Sequence, residues 1–191
     1  MYTRNEFVKK FTPVAESLTA GTGIFPQTLL AMAIVESSGN VNGKYLVGAN
    51  ASARYANNYF GIKASPAWKG KVIRLNTPKD ATKTSLFRSY ASVNDSMQDY
   101  VRFLKQNKRY DNAGVFDANN YAEQIIRIAK AGYAESPSYA SIVSNVADRV
   151  NVLMEQFAKI VKPLKDNSGT AALLLLFFFT FINEARNEQI N

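Results

Sequence analysis

Apolar residues recur at intervals of three and four through most of the chain, which marks it as mainly helical. Phe7, Phe11, Val14 and Leu18 fall on one side of a first helix. Thr3 and Glu6 open it with capping-box spacing, and Pro13 is expected to kink or divide it. A second helix is predicted from Pro26 to Ser37, because proline suits a first turn and Gly39 suits the exit. Leu29, Leu30, Met32, Ile34 and Val35 leave it almost no polar face, so it should run through the core. Residues 40 to 68 show no period, are rich in Asn, Gly and Ala, and read as loop. The segment KVIRLNTPKDATKTSLFRSY then sets two short β-prone runs around Pro-Lys-Asp, predicting a small hairpin with its tip near residues 78 to 81. Three helices follow. Residues 94 to 106 place Met97, Tyr100, Val101 and Leu104 on one side, and residues 120 to 131 carry Ile125, Ile126 and Ile128 before Gly132. The last opens at Ser136-Pro137 and keeps Tyr139, Ile142, Val143, Val146, Val150, Leu153 and Phe157 on one stripe to about Val161, where Pro163 is expected to end it.

The pattern changes after residue 163. A polar link, residues 164 to 169, leads into TAALLLLFFFTFI, residues 170 to 182. As a helix that run would be roughly 20 Å long against a hydrocarbon core of about 30 Å, short for a span. So dense an apolar run after a complete-looking domain is hard to leave in water, and we read residues 170 to 191 as a membrane-associated tail anchor rather than a terminal core element. Lys159, Lys162 and Lys165 precede it and Glu184, Arg186 and Glu188 follow, which by the positive-inside tendency would hold residues 1 to 163 on the cytoplasmic side. The opening MYTRNEFVKKFTPVAESL lacks the apolar run and cleavage site of a secretory signal.

Composition narrows the chemistry. With 191 residues, 47% hydrophobic and 20% charged, the chain has the make-up of an ordinary globular domain plus an appendage. It contains no Cys and no His, which removes zinc peptidases and amidases and the hydrolases that rely on a histidine base. No metal or other cofactor is expected, and carboxylates are left to move protons. The formal charge of +8 is concentrated: Lys44 to Arg109 holds 13 Lys plus Arg against Asp80, Asp95 and Asp99. Such a stretch favours a polyanion or is simply a solvated surface. No recognised nucleic-acid motif accompanies it, so no nucleic-acid partner is expected.

Between Glu16 and Asp95 the only carboxylates are Glu36 and Asp80. Glu36 ends the apolar helix in AMAIVESSG, where burial and the negative helix end both oppose ionisation. A carboxyl kept protonated near neutral pH is what a glycosidase needs to protonate a departing oxygen, while a second carboxylate or the substrate's own acetamido group assists on the other face of the sugar. A lone Glu at a helix end is otherwise an exposed or paired residue.

Four ordered segments surround these positions: LLAMAIVESSG (29 to 39), NNYFGIKASPAWKGK (57 to 71), LFRSYASVNDSMQDYVRFL (86 to 104) and AGYAESPSYASIV (131 to 143). In that order they resemble glycoside hydrolase family 73, the bacterial and phage endo-β-N-acetylglucosaminidases that include the flagellar-rod muralytic domain. The resemblance covers roughly residues 20 to 150. It implies an α+β, mainly α fold: a lysozyme-like helical lobe with a small β-hairpin lobe beside a saccharide groove. The C-terminal apolar helix would be added to it. It implies cleavage of the β-1,4 bond between N-acetylglucosamine and N-acetylmuramic acid, with peptidoglycan glycan strands as partner. Position by position, Glu36 matches the catalytic acid and Tyr133 the tyrosine of the G-Y-A motif. Asn58, Phe60, Trp68 and Tyr139 fall in segments that shape the groove and are the substrate-binding candidates, although Phe60 and Trp68 are also ordinary core or rim residues.

The chain departs from the family at the second carboxylate. Many members carry T-x-E in the β lobe, whereas Thr77-Pro78-Lys79-Asp80 stands here, with Lys in place of Glu. Asp80 is the nearest substitute, and a hairpin tip can swing toward bound substrate. Asp95, or the substrate's acetamido group, are the alternatives. A muramidase, a lytic transglycosylase, or a non-catalytic virion or envelope module of the same fold would share most of these features. The tail and the opening residues together suggest a virion-associated or membrane-anchored protein acting on the cell wall.

Overall fold

The computed structural model describes residues 1 to 77 and 80 to 166. The apolar run at 170 to 182, and with it the expected tail anchor, lies outside the described residues. Among those described, no helix is long and apolar enough to cross a membrane. The chain divides into two units, Met1–Leu153 and the residues from Met154 onward.

Helix α1 (Arg4–Thr19) begins with the full capping box: the Thr3 hydroxyl accepts from the Glu6 N–H at 3.3 Å, and the Glu6 carboxylate accepts from the Thr3 N–H at 2.7 Å. It buries Phe7, Val8, Phe11, Ala15 and Thr19. The expected break at Pro13 does not occur. Pro13 lies on the exposed side, as does Lys9 one turn earlier, so the carbonyl that loses its partner faces water and the helix continues. Thr3→Ala is expected to lower stability by about 1 kcal/mol, read from the urea midpoint at unchanged slope.

Helix α2 (Pro26–Ser37) lies where the punctuation put it. It packs against α1, against α4 (Val93–Gln106) and against α6 (Tyr121–Lys130), and Thr28 through Ile34 are all buried. Three neighbours leave it no solvent face, which is why its sequence has no polar stripe. In α6, Gln124 is fully buried, and its carboxamide donates to the carbonyls of Gly23 and Val115 and accepts from the Phe25 N–H. Of its three isoleucines, Ile125 and Ile128 are buried and Ile126 is exposed.

Residues 40 to 68 are not loop throughout. Strands β1 (Gly39–Val41) and β2 (Lys44–Leu46) pair antiparallel, with Asn42 and Gly43 both at positive φ in a two-residue turn. That is the Asn-Gly turn that joins right-twisted strands most easily. Helix α3 (Ala51–Ala56) follows, capped by the Asn50 side chain. Strands β3 (Val72–Thr77) and β4 (Asp80–Arg88) form the expected hairpin, with Val72 opposite Arg88 and Thr77 opposite Asp80. Residues 62 to 64 run along the other edge of β4, through Ala64 N–H to Leu86 and Arg88 N–H to Ile62.

A short helix α5 (Lys108–Asn112) and a single 3₁₀ turn (Val115–Asp117) link α4 to α6. Helix α7 (Tyr139–Asp166) starts in the first unit, where it buries Tyr139, Val143, Ala147 and Val150. Ile142 is exposed, so the buried stripe is rotated from the expected one. The helix also runs past Pro163. Lys159, whose carbonyl loses its bond there, is exposed and can be hydrated.

Candidate active site

The last turn of α2 must satisfy carbonyls that no longer have helical partners, and the segment after β2 supplies donors. The Asn50 carboxamide donates to the Glu36 carbonyl, and the Asn50 N–H to the Ser37 carbonyl at 3.0 Å. The Ser37 hydroxyl in turn accepts from the Gly48 N–H at 3.1 Å. Gly48 sits at φ +80 against the Tyr59 ring, where a Cβ would collide with the phenol. The backbone that carries Glu36 is therefore fixed from outside the helix.

The Glu36 side chain is half-buried, and burial raises its pKa above the ordinary carboxylate range. The hydroxyl of Tyr139, from the first turn of α7, donates to Oε1 and pulls the pKa the other way, but burial prevails. Tyr139 also lies 3.4 Å from Met32 Sδ, one turn earlier in α2. Its ring stacks on Tyr133 at 5.7 Å. Tyr133 meets Tyr100 edge-on at 6.0 Å, Tyr100 stacks on Phe60 at 4.0 Å, and the Tyr133 hydroxyl returns to the Phe60 carbonyl at 3.2 Å. Burial first, and then the neighbouring phenols and Glu36, push the hydroxyls of Tyr100 and Tyr133 well above their usual pKa. Tyr133 and Tyr139 therefore serve as donors, not bases.

Of the residues read from the sequence, the structure thus gathers Glu36, Tyr133 and Tyr139 together, with the Phe60 backbone against them. Asn58 and Phe60 are enclosed in the interior. Asn58 is fully buried and its carboxamide is spent on Ile62 N–H, Ile62 C=O and Arg88 C=O, while the Phe60 ring is 2% exposed. Their contribution to any ligand is the shape they hold. Trp68 is half-exposed, donates from Nε1 to the Lys71 carbonyl at 3.0 Å, and lies under the Arg88 guanidinium at 4.5 Å. Asp80 opens β4 at the hairpin tip. The other acids of this stretch are engaged: Asp95 caps α4 with Ser92, and buried Asp99 accepts from Arg88 and the Tyr90 hydroxyl, each at 2.7 Å. Among the described residues no cluster of acids could hold a metal ion.

One half-buried carboxyl, its pKa raised by burial and one oxygen held by a phenol, is the equipment of a general acid. The sequence profile of the glucosaminidase family, described as mannosyl-glycoprotein endo-beta-N-acetylglucosaminidase, matches residues 12–152. The chain belongs to this family. Within it, the chain is 37% identical over 152 residues to the peptidoglycan hydrolase FlgJ of Vibrio parahaemolyticus, covering 75% of this chain and 46% of that one. It therefore spans about half the length of such relatives. The glycoside hydrolase domain of Salmonella typhimurium FlgJ superposes with a TM-score of 0.63 at 26% identity, covering 86% of this chain and 99% of that one. The peptidoglycan hydrolase of Sphingomonas sp. A1 gives 0.62 at 26% identity, over 80% and 94%. The glucosaminidase fold, mainly helical α+β with small antiparallel sheets, is shared with these structures.

Reading the sequence alone missed Asn50, which steadies the Glu36 backbone, and the Arg88–Asp99–Tyr90 cluster. Asn50 carried a usable signal, since Asn before a short Ala-rich run is an N-cap pattern. Nothing local marks Asp99 as the partner of Arg88.

Proposed function

We propose that the chain hydrolyses the β-1,4 bond between N-acetylglucosamine and N-acetylmuramic acid in peptidoglycan, with Glu36 as general acid. The observation that carries this is the Glu36 carboxyl itself, half-buried with its pKa raised and one oxygen held by Tyr139. The family description and the names of the FlgJ relatives support the substrate class. Because the phenol hydrogen occupies Oε1, the carboxyl proton resides on Oε2 and is free to pass to the bridging oxygen. The glycosidic C–O bond then breaks, its electron pair leaves with that oxygen, and positive charge develops at the anomeric carbon. Asp80, carried by the hairpin, or the substrate's acetamido group meets that charge. A lysozyme-like pair of lobes flanking a groove, with Tyr133 and Trp68 at its wall, belongs to the same reading.

Products decide the bond. Mass spectrometry of digested murein is expected to show reducing N-acetylglucosamine ends; anhydromuramyl or reducing muramic ends would overturn the assignment in favour of a transglycosylase or muramidase.

Tyr139 has a signature of its own. Its hydroxyl bonds the ionised form of Glu36, so removing it raises the Glu36 pKa further. A general acid works only while protonated, and activity falls as pH rises through its pKa. In Tyr139→Phe the alkaline limb of the kcat/KM profile is therefore expected to move to higher pH. A limb that stays in place, or moves to lower pH, would remove Glu36 as the titrating acid.

A further inference from the structure

Helix α6 ends where Gly132 turns left-handed at φ +81. The Ala131 N–H bonds the Arg127 carbonyl and the Gly132 N–H the Ala129 carbonyl, each at 2.9 Å, and this cap delivers the next residue, Tyr133, to the phenols around Glu36. Little else anchors Tyr133 along the chain. Its N–H has only a long bond to the Ile128 carbonyl, 3.4 Å, and residues 135 to 138 beyond it are exposed and outside helices and strands.

Support comes from α5. The Gly132 carbonyl accepts from Arg109 Nη1 at 3.2 Å, and the guanidinium rests against the glycine, where a Cβ would sit 3.9 Å from Nη1. Nη2 of the same side chain donates to the hydroxyl of Tyr110, a fully buried phenol whose ring centroid lies 4.7 Å from the guanidinium. One planar fork thus joins the cap of α6 to the interior, a task that the single ammonium of lysine fills poorly. Each remaining step toward the acid is a direct contact. Tyr133 follows Gly132, its ring stacks on Tyr139, its hydroxyl is bonded to the Phe60 carbonyl, and Tyr139 holds Glu36. Burial and the Tyr139 bond are what shift the Glu36 carboxyl, so Arg109 acts on it through the packing of these rings.

We propose that Arg109 is a positioning residue for the glycosidase reaction: it pins the Gly132 carbonyl, which seats Tyr133 against Tyr139 and keeps the Glu36 carboxyl enclosed and aimed. The inference rests on the reading of Glu36 as general acid and adds to it a residue from a different helix.

The test uses the full chain with Arg109→Met, which keeps the aliphatic stem but removes both donors and the charge, and Arg109→Lys, which keeps the charge and one donor. Glu36 is titrated by carbon-13 NMR of glutamate-labelled protein, its signal assigned by its loss in Glu36→Gln, and kcat and KM are measured on murein. Loosening the rings admits water to Glu36. Because burial outweighs the Tyr139 bond, the titration and the alkaline limb of kcat/KM should both move to lower pH, opposite in sign to Tyr139→Phe. The neighbouring phenols stay out of this range, since burial holds Tyr100, Tyr110, Tyr133 and Tyr139 above their usual pKa. In Arg109→Met kcat should fall by about tenfold with KM little changed, a part of the roughly hundredfold that a small misplacement from a distant substitution can cost. Arg109→Lys should fall between that variant and wild type. Arg127→Met is the control. Its guanidinium serves the same end of α6 but bonds the Gly114 carbonyl and Glu123, so its loss should lower the Tm without moving the titration.

A Glu36 titration unmoved in Arg109→Met, one moved to higher pH as loss of a positive charge alone would cause, an equal shift in Arg127→Met, or a wild-type kcat would each overturn the inference. If Arg109→Met does not fold, the titration is read in Arg109→Lys, and an unmoved Glu36 there overturns it equally. The NMR measurement requires no turnover, so a wild-type chain that releases no sugar would sink the proposed reaction while the seating of Glu36 by Arg109 is still decided.

Discussion

Glu36→Gln is expected to lower kcat for reducing-sugar release from murein by on the order of a thousandfold, within the range that a positioned general acid supplies. Gln keeps the volume of Glu and an oxygen that can accept the Tyr139 hydrogen, so the loss reports the missing proton and not a collapsed site. Two further readouts make the result specific. The residual activity should lack the alkaline limb of the wild type, because the titrating group is gone. The variant should also be the more heat-stable protein above the ordinary carboxylate range. A carboxyl whose folded pKa is raised above its unfolded value loses stability as pH climbs between the two, since the unfolded chain releases its proton first, and Gln takes no part in that titration. Wild-type turnover in Glu36→Gln would remove this residue from the mechanism.

The largest effect on stability is expected at Asp99. Asp99→Ala leaves the Arg88 guanidinium, enclosed between Trp68 and Phe103, without its counter-charge and strips the Tyr90 hydroxyl of its acceptor. Breaking one side of such a buried pair costs about 3 to 5 kcal/mol, whereas the exposed Arg102 at 3.6 Å contributes little. Replacing both partners, as in Asp99→Leu/Arg88→Met, should recover most of the loss, because no orphaned charge remains. Urea unfolding of the two variants measures both claims. A single substitution costing under about 1 kcal/mol would show that the pair is solvated and does not pin β4 to α4.

Much of this architecture could be read from the chain before its coordinates. Helix ends were legible where punctuation is chemical: Thr3 and Glu6 close a capping box, and Pro26 opens the helix that ends at Ser37. The β3–β4 hairpin was legible from its two β-prone runs. The prolines misled at residues 13 and 163, because a lost helical bond is inexpensive when water can reach the freed carbonyl. Strands β1 and β2 escaped notice since three residues are too few to show alternation, and Asn42-Gly43 was the only clue. At the site, the position of Glu36 was readable, but its contact with a residue 103 positions away was not. The segment NNYFGIK was recognisable as a motif, yet its Asn58 serves as internal framework, bonding Ile62 and Arg88.

Glu36 lies in the last turn of the most thoroughly enclosed helix of the first unit, where Asn50 tethers its carbonyl. Its placement is settled when the protein folds, so in the proposed reaction an arriving strand need not order it, and no entropy is lost at each encounter in fixing the proposed proton donor. The same arrangement makes catalysis a sensitive gauge of the interior: substitutions that loosen the packing of α1 or α6 on this helix should erode turnover at temperatures where the chain as a whole still holds together.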